Sequence, residues 1–285
     1  SQPNEDAQQT VDAFKAKYPA VDVEWVRDGS TQVMAKLRAE FEAGAPKPDL
    51  LLIADTVTME SLKQEGRLMK HEGADVSAYD PAIMDTDKTY FSTKLITTGI
   101  MYNTSAPVKP VSYKDLLKAE VKDKLAMPSP LTSGAATIHM VAITGNPDLG
   151  WAYYEKLAEQ GANPQGGNGA VYKAIAGGEK LYGFMVDYMP IRGKAQGAPV
   201  EFVFPEEGVS AVTEPVAILS TAQNPTAAKA FVDFLISTEG QELASKQGYL
   251  PAHPGVTPPA GFPARETIKL LSFDPAKALE GDAAN

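Results

Sequence analysis

Apolar positions along the chain alternate between two periods, and the alternation predicts its elements. Over residues 4–18, Ala7, Val11, Phe14 and Tyr18 fall four, three and four apart, a helix stripe that Pro19 ends. Residues 21–26 alternate apolar and polar and read as a strand. Val33, Leu37 and Phe41 lie on one face of a second helix, residues 32–43, closed by Gly44. The continuous apolar run at 49–53 reads as a parallel strand covered on both faces. A third helix follows over 58–64. Helix, strand, helix, strand, helix is the rhythm of a doubly wound α/β sheet. That rhythm calls for a strand ahead of the first helix, and the expectation is that this strand is missing or supplied from elsewhere.

Further on, 71–93 is irregular and acidic, 94–102 a long strand, 112–119 a short helix and 124–126 a short strand. Helices are expected at 135–143, 150–160 and 170–176, and strands at 181–186, 200–204 and 212–219. Asn224-Pro225 is a helix start, with a capping residue and then proline at the first helical position. Helices over 226–236 and 238–246 precede a proline-rich loop at 250–263.

One loop joins the 124–126 strand to the 135–143 helix: Met127-Pro128-Ser129-Pro130-Leu131-Thr132-Ser133-Gly134-Ala135-Ala136-Thr137. Small hydroxyl residues and a glycine ahead of a helix suit an anion. First-turn N–H groups have no intrahelical partner, and the helix dipole adds about half a positive charge there. Thr132, Ser133, Gly134 and Ala135 are the candidate cradle. An ordinary helix cap explains the same residues, since serine and threonine favour that position.

Composition narrows the classes. The 285 residues are 44% apolar and 22% charged, with a net charge of −10 and no cysteine. The acidic balance argues against nucleic acid and against anionic membrane surfaces. An anion would have to be held by local geometry against the overall field. Without cysteine, disulfides and thiolate metal sites are excluded. No apolar run is long enough for a membrane span. Ser1-Gln2-Pro3-Asn4 is too polar for a signal peptide, so the chain is expected to be cytosolic or already processed. Enzyme motifs such as G-x-S-x-G, H-E-x-x-H and the P-loop are missing, and Gly166-Gly167-Asn168-Gly169 follows a helix rather than a strand.

Four passages carry a resemblance: Pro48-Asp49-Leu50-Leu51, Ile100-Met101-Tyr102-Asn103, the 127–137 loop, and Phe231-Val232-Asp233-Phe234-Leu235 with Ser237-Thr238-Glu239-Gly240-Gln241. On these the chain resembles a periplasmic solute-binding protein of a bacterial ABC importer, in the branch with ferric-ion and phosphonate or sugar-phosphate binders. The resemblance implies a type II fold of two α/β lobes, with a mixed sheet flanked by helices in each and the ligand in a cleft. Lobe one would be 1–98 plus 217–285, and lobe two 99–216. It also implies a monomer in the periplasm, partnered by a membrane permease, with no cofactor and no membrane insertion.

In the ferric branch two adjacent tyrosines follow the strand corresponding to 181–186. Here the stretch is Asp187-Tyr188-Met189, and a thioether is a poor ligand for a hard ion. A phosphonate- or phosphate-bearing solute fits better, 2-aminoethylphosphonate first and a sugar phosphate next. An iron-binding protein is the alternative, and an enzyme acting on a phosphorylated compound is the rival of another class. By strand-end logic Ser30 and Thr31 would face the ligand, and Ser1 lies in the first loop that the resemblance implies. Asp187 and Asp55 are either partners for an amino group on the solute or caps. Tyr188 either stacks on the ligand or packs, and Asn168 either caps a helix or points to the ligand.

Overall fold

A computed structural model describes residues 3–272. These divide into two compact units, residues 3–95 with 213–259 and residues 96–212 with 260–272.

Unit one opens with α1 (Asn4–Lys17) and α2 (Ser30–Glu42), followed by β1 (Leu50–Leu52) and α3 (Thr56–Gln64). The helix stripes are real: Val11 and Phe14 of α1 and Leu37 of α2 are buried. The sheet has the order β1, β8 (Val216–Ile218), β2 (Tyr90–Phe91). Both pairings are antiparallel, which corrects the parallel expectation for 49–53. An apolar run reports burial on two faces and not the direction of the neighbouring strand. The alternating stretch at 21–26 forms no strand, since no ladder partner lies beside it among the described residues. Helices α8 (Pro225–Ile236) and α9 (Thr238–Lys246) complete the unit. Phe14, Phe91, Val216, Ile218, Val232 and Phe234 share its core.

Unit two is built on β3 (Ile96–Asn103), the central strand of a five-stranded sheet. Around it lie β4 (Leu125–Ala126), α4 (Gly134–Thr144), α5 (Gly150–Glu159), α6 (Asn168–Ala176), β5 (Tyr182–Val186), α7 (Tyr188–Ala195), β6 (Val200–Val203) and β7 (Ser210–Val212). β5, β6 and β7 all run antiparallel to β3, while β4 is parallel to β5. Gly183 of β5 needs its lack of a side chain, because a Cβ there would collide with the Ala126 carbonyl. Ile100, Tyr113, Tyr153, Tyr182 and Phe184 centre the core.

Two expectations change here. The single strand expected over 212–219 is two strands, interrupted by Glu214 at φ 42° and by Pro215. A non-glycine residue in the left-handed region breaks the pleat. The boundaries also differ from 98/99 and 216/217, falling at 95/96 and 212/213, and residues 260–272 join the second unit. That return is held by backbone bonds of Val209 to Lys269 and of Leu271 to Val209 (2.9 and 2.8 Å), and Leu271 enters the core around Ile100.

Candidate anion site

The loop before α4 is a folded turn. Thr132 N and Ser133 N both donate to Ser129 O at 3.1 Å, and Ser129 N donates to Gly166 O at 2.9 Å. The Thr132 hydroxyl donates to Gly166 O at 2.9 Å, and the Thr137 hydroxyl to Pro130 O at 2.8 Å. The expected donor Thr132 therefore has its proton committed to the loop itself.

Ser133 is the N-cap of α4, accepting from Ala136 N at 3.3 Å. Its oxygen also accepts from Asn168 Nδ2 at 3.1 Å, and Asn168 Oδ1 accepts from Val186 N at 3.4 Å. One amide side chain thus joins the starts of α4 and α6 to the end of β5, where α7 begins. Asn168 is not the cap, because Gly167 takes that position and Asn168 is the first helical residue.

This junction leaves donors over. Among the described residues, the amides of Gly134 and Ala135 in α4 and of Asn168 and Gly169 in α6 have no hydrogen-bond acceptor. Ser133 accepts twice and keeps its own proton uncommitted. Two helix starts with unmatched N–H groups, held together by a side-chain bridge, form an arrangement suited to an anion.

Asp187 takes the capping alternative. It is 1% exposed, and its carboxylate accepts from Thr97 N (2.9 Å), Thr97 Oγ1 (2.7 Å) and Tyr188 N (2.6 Å). Burial pushes its pKa up to about 7, against the pull of these donors. Turned inward and bonded three times, it is not presented to a solute ammonium. Asp55 also caps, accepting from Val57 N and Thr58 N at 3.0 and 3.1 Å and from the Thr58 hydroxyl.

Tyr188 is the first residue of α7, and the Arg192 guanidinium lies 5.0 Å from its ring centre. Arg192 is not apparent from the sequence pattern, because Pro190 masks the helix that sets Tyr188 and Arg192 one turn apart. Proline is tolerated in a first turn, where its missing N–H would be unpaired anyway. In unit one, Ser30 and Thr31 are the first two residues of α2, behind Gly29 as N-cap. Ser1 lies outside the described residues. Unit two thus brings together Ser133, Gly134, Ala135, Asn168, Asp187 and Tyr188, with Thr132 turned onto Gly166; Ser30, Thr31 and Asp55 belong to unit one.

Among the described residues, no cluster of three or more histidine, aspartate or glutamate side chains could hold a metal, and no helix is long and apolar enough to cross a membrane.

Comparison with known proteins adds to this geometry. A family profile described as bacterial extracellular solute-binding protein matches residues 3–250. A Salmonella typhimurium protein provisionally described as a 2-aminoethylphosphonate-binding periplasmic protein is 24% identical over 257 residues, covering 87% of this chain and 74% of that protein. Among solved structures, the periplasmic binding protein AfuA from Actinobacillus pleuropneumoniae, with fructose-6-phosphate bound, superposes with a TM-score of 0.84 at 23% identity, covering 99% of this chain and 95% of that one. A ferric binding protein from Campylobacter jejuni gives a TM-score of 0.83 at 20% identity, covering 100% and 94%. The fold is that of the type II periplasmic binding proteins.

Proposed function

The chain belongs to the bacterial extracellular solute-binding protein family, and on that premise we propose that it carries a small phosphonate- or phosphate-bearing solute to the permease of an ABC importer. Proteins of this family bind their solute and do not transform it. The proposed solute is 2-aminoethylphosphonate, and the proposed setting is the periplasm, with the protein acting as a monomer.

The observation that carries the reading is the junction of α4 and α6. Four uncommitted amides and the Ser133 hydroxyl surround a bridge made by Asn168, and no basic side chain is needed for them to attract an anion. The provisional description of the Salmonella relative supports a phosphonate, and the sugar phosphate bound to AfuA supports a phosphorylated solute as the second candidate. Asp55 and Asp187 are both committed as caps, so the proposal rests on the phosphorus end of the solute. Binding would favour a ligand-bound form that the permease reads.

Calorimetry with 2-aminoethylphosphonate, methylphosphonate and fructose-6-phosphate tests the proposal. Saturable binding of at least one of them, with no product formed, is expected. Absence of binding to all three, together with tight binding of ferric citrate, would replace it by the iron reading.

A further inference from the structure

Two adjacent threonines lie near the start of β3, and successive side chains of a strand point to opposite faces. Thr97 gives its hydroxyl to Asp187. Thr98 faces the other way, into a small pocket that it shares with His139, Phe184, Tyr154, Met127 and Pro130. Ser210 stands opposite Thr98 in the β3–β7 ladder, and its hydroxyl lies 2.9 Å from His139 Nδ1. That leaves the other ring nitrogen. His139 Nε2 and Thr98 Oγ1 are both buried without a hydrogen-bond partner among the described residues, and each residue is 1% exposed.

Unmatched polar atoms are expensive inside a protein, and buried water is the usual way of satisfying them. The pocket has room for about one water molecule. Apart from Tyr154 its other walls are apolar side chains, so these two atoms are the buried unmatched partners that a guest would find. Burial pushes the His139 pKa down to about 3, which keeps the ring neutral. A neutral imidazole offers one donor and one acceptor, and water can meet either tautomer.

We propose that Thr98 Oγ1 and His139 Nε2 hold a single buried water, and that this water positions the first turn of α4. His139 lies on α4 less than two turns beyond Ser133, and Ala136 of the first turn also lines the pocket. β3 then reaches α4 by two routes. The outer one runs from Thr98 to its ladder partner Val186, then through Asn168 to Ser133. The inner one runs from Thr98 through the water to His139. With both in place the amides of Gly134 and Ala135 are fixed in height against the sheet.

A high-resolution crystal structure of the wild-type protein is the first arm of the test. One ordered water within hydrogen-bond distance of both atoms is expected. A pocket without density, or with the Thr98 hydroxyl turned onto a backbone carbonyl, overturns the proposal. The second arm is amide exchange in Thr98→Val, which keeps the side-chain shape and removes the hydroxyl. Ala136 and Thr137 should exchange about threefold to tenfold faster, the effect of one hydrogen bond, while α5 is unchanged. Thr98→Ser should restore wild-type exchange. Equal acceleration throughout unit two, or none at Ala136 and Thr137, contradicts the positioning role. Neither arm uses a ligand, so failure of the phosphorus compounds to bind would defeat the proposed function and leave this result standing.

Discussion

Helices α3 and α4 each follow a strand, and they treat their first turns in opposite ways. At α3 the carboxylate of Asp55 closes over the amides of Val57 and Thr58 and takes the Thr58 hydroxyl as well. A negative charge already sits where an anion would go. At α4 the cap is the neutral hydroxyl of Ser133, which satisfies Ala136 and leaves Gly134 and Ala135 unmatched. Asn168 then brings a second helix start alongside. Both segments looked alike in the sequence, as a strand, then small polar residues, then a helix. The charge of the capping residue separates a finished helix start from one with capacity to spare.

Exchanging that one feature should have the largest effect. Ser133→Asp gives α4 the cap of α3, so the helix should be at least as stable while 2-aminoethylphosphonate binding weakens about a hundredfold, since opposed like charges cost several kcal/mol. Calorimetry and a melting curve on the same sample separate the two. Asn168→Ala removes the bridge to α6 and should weaken binding about tenfold, the upper end of what one hydrogen bond that holds the two helix starts together is worth. An unchanged affinity would make the bridge purely structural.

A third prediction concerns pH. Asp187, raised to about 7 by burial, holds its proton more tightly folded than unfolded, so its contribution falls as pH rises from about 4 to about 7. His139, lowered to about 3, has the opposite sign, and its contribution is lost as pH falls below about 6.5. Between about pH 4 and 6.5 the two slopes oppose each other. Asp187→Asn removes one of them. Its stability relative to wild type should rise with pH by up to about 1.4 kcal/mol per unit through that window, then level off above 7. Urea titrations at stepped pH check this, and a flat difference would contradict the burial of Asp187.

The smallest effect belongs to α3. Asp55→Ala should cost about 1 kcal/mol of stability through the lost cap and leave affinity unchanged. A large loss of affinity would return Asp55 to the ligand.

What the sequence made legible was local. Helix stripes placed α1 and α2, hydroxyls before an apolar run marked α4, and Asn224-Pro225 marked the start of α8. What it hid depends on partners far along the chain. The antiparallel direction of β1 is set by β8, more than 160 residues on, and the unpaired state of 21–26 depends on a missing neighbour. Asn168 could be read only as a cap or a ligand contact, because its actual partners, Ser133 and Val186, lie 35 residues before it and 18 after it. Asp187 looked available until β3 placed Thr97 against it.

The α4–α6 junction is the proposed seat of the phosphorus anion. Amide chemical shifts followed by NMR during titration with 2-aminoethylphosphonate address it most directly. Large, saturable shifts are expected at Gly134, Ala135, Asn168 and Gly169, with Val57 and Thr58 of α3 unmoved. Saturable binding by calorimetry with those four amides unmoved would contradict it.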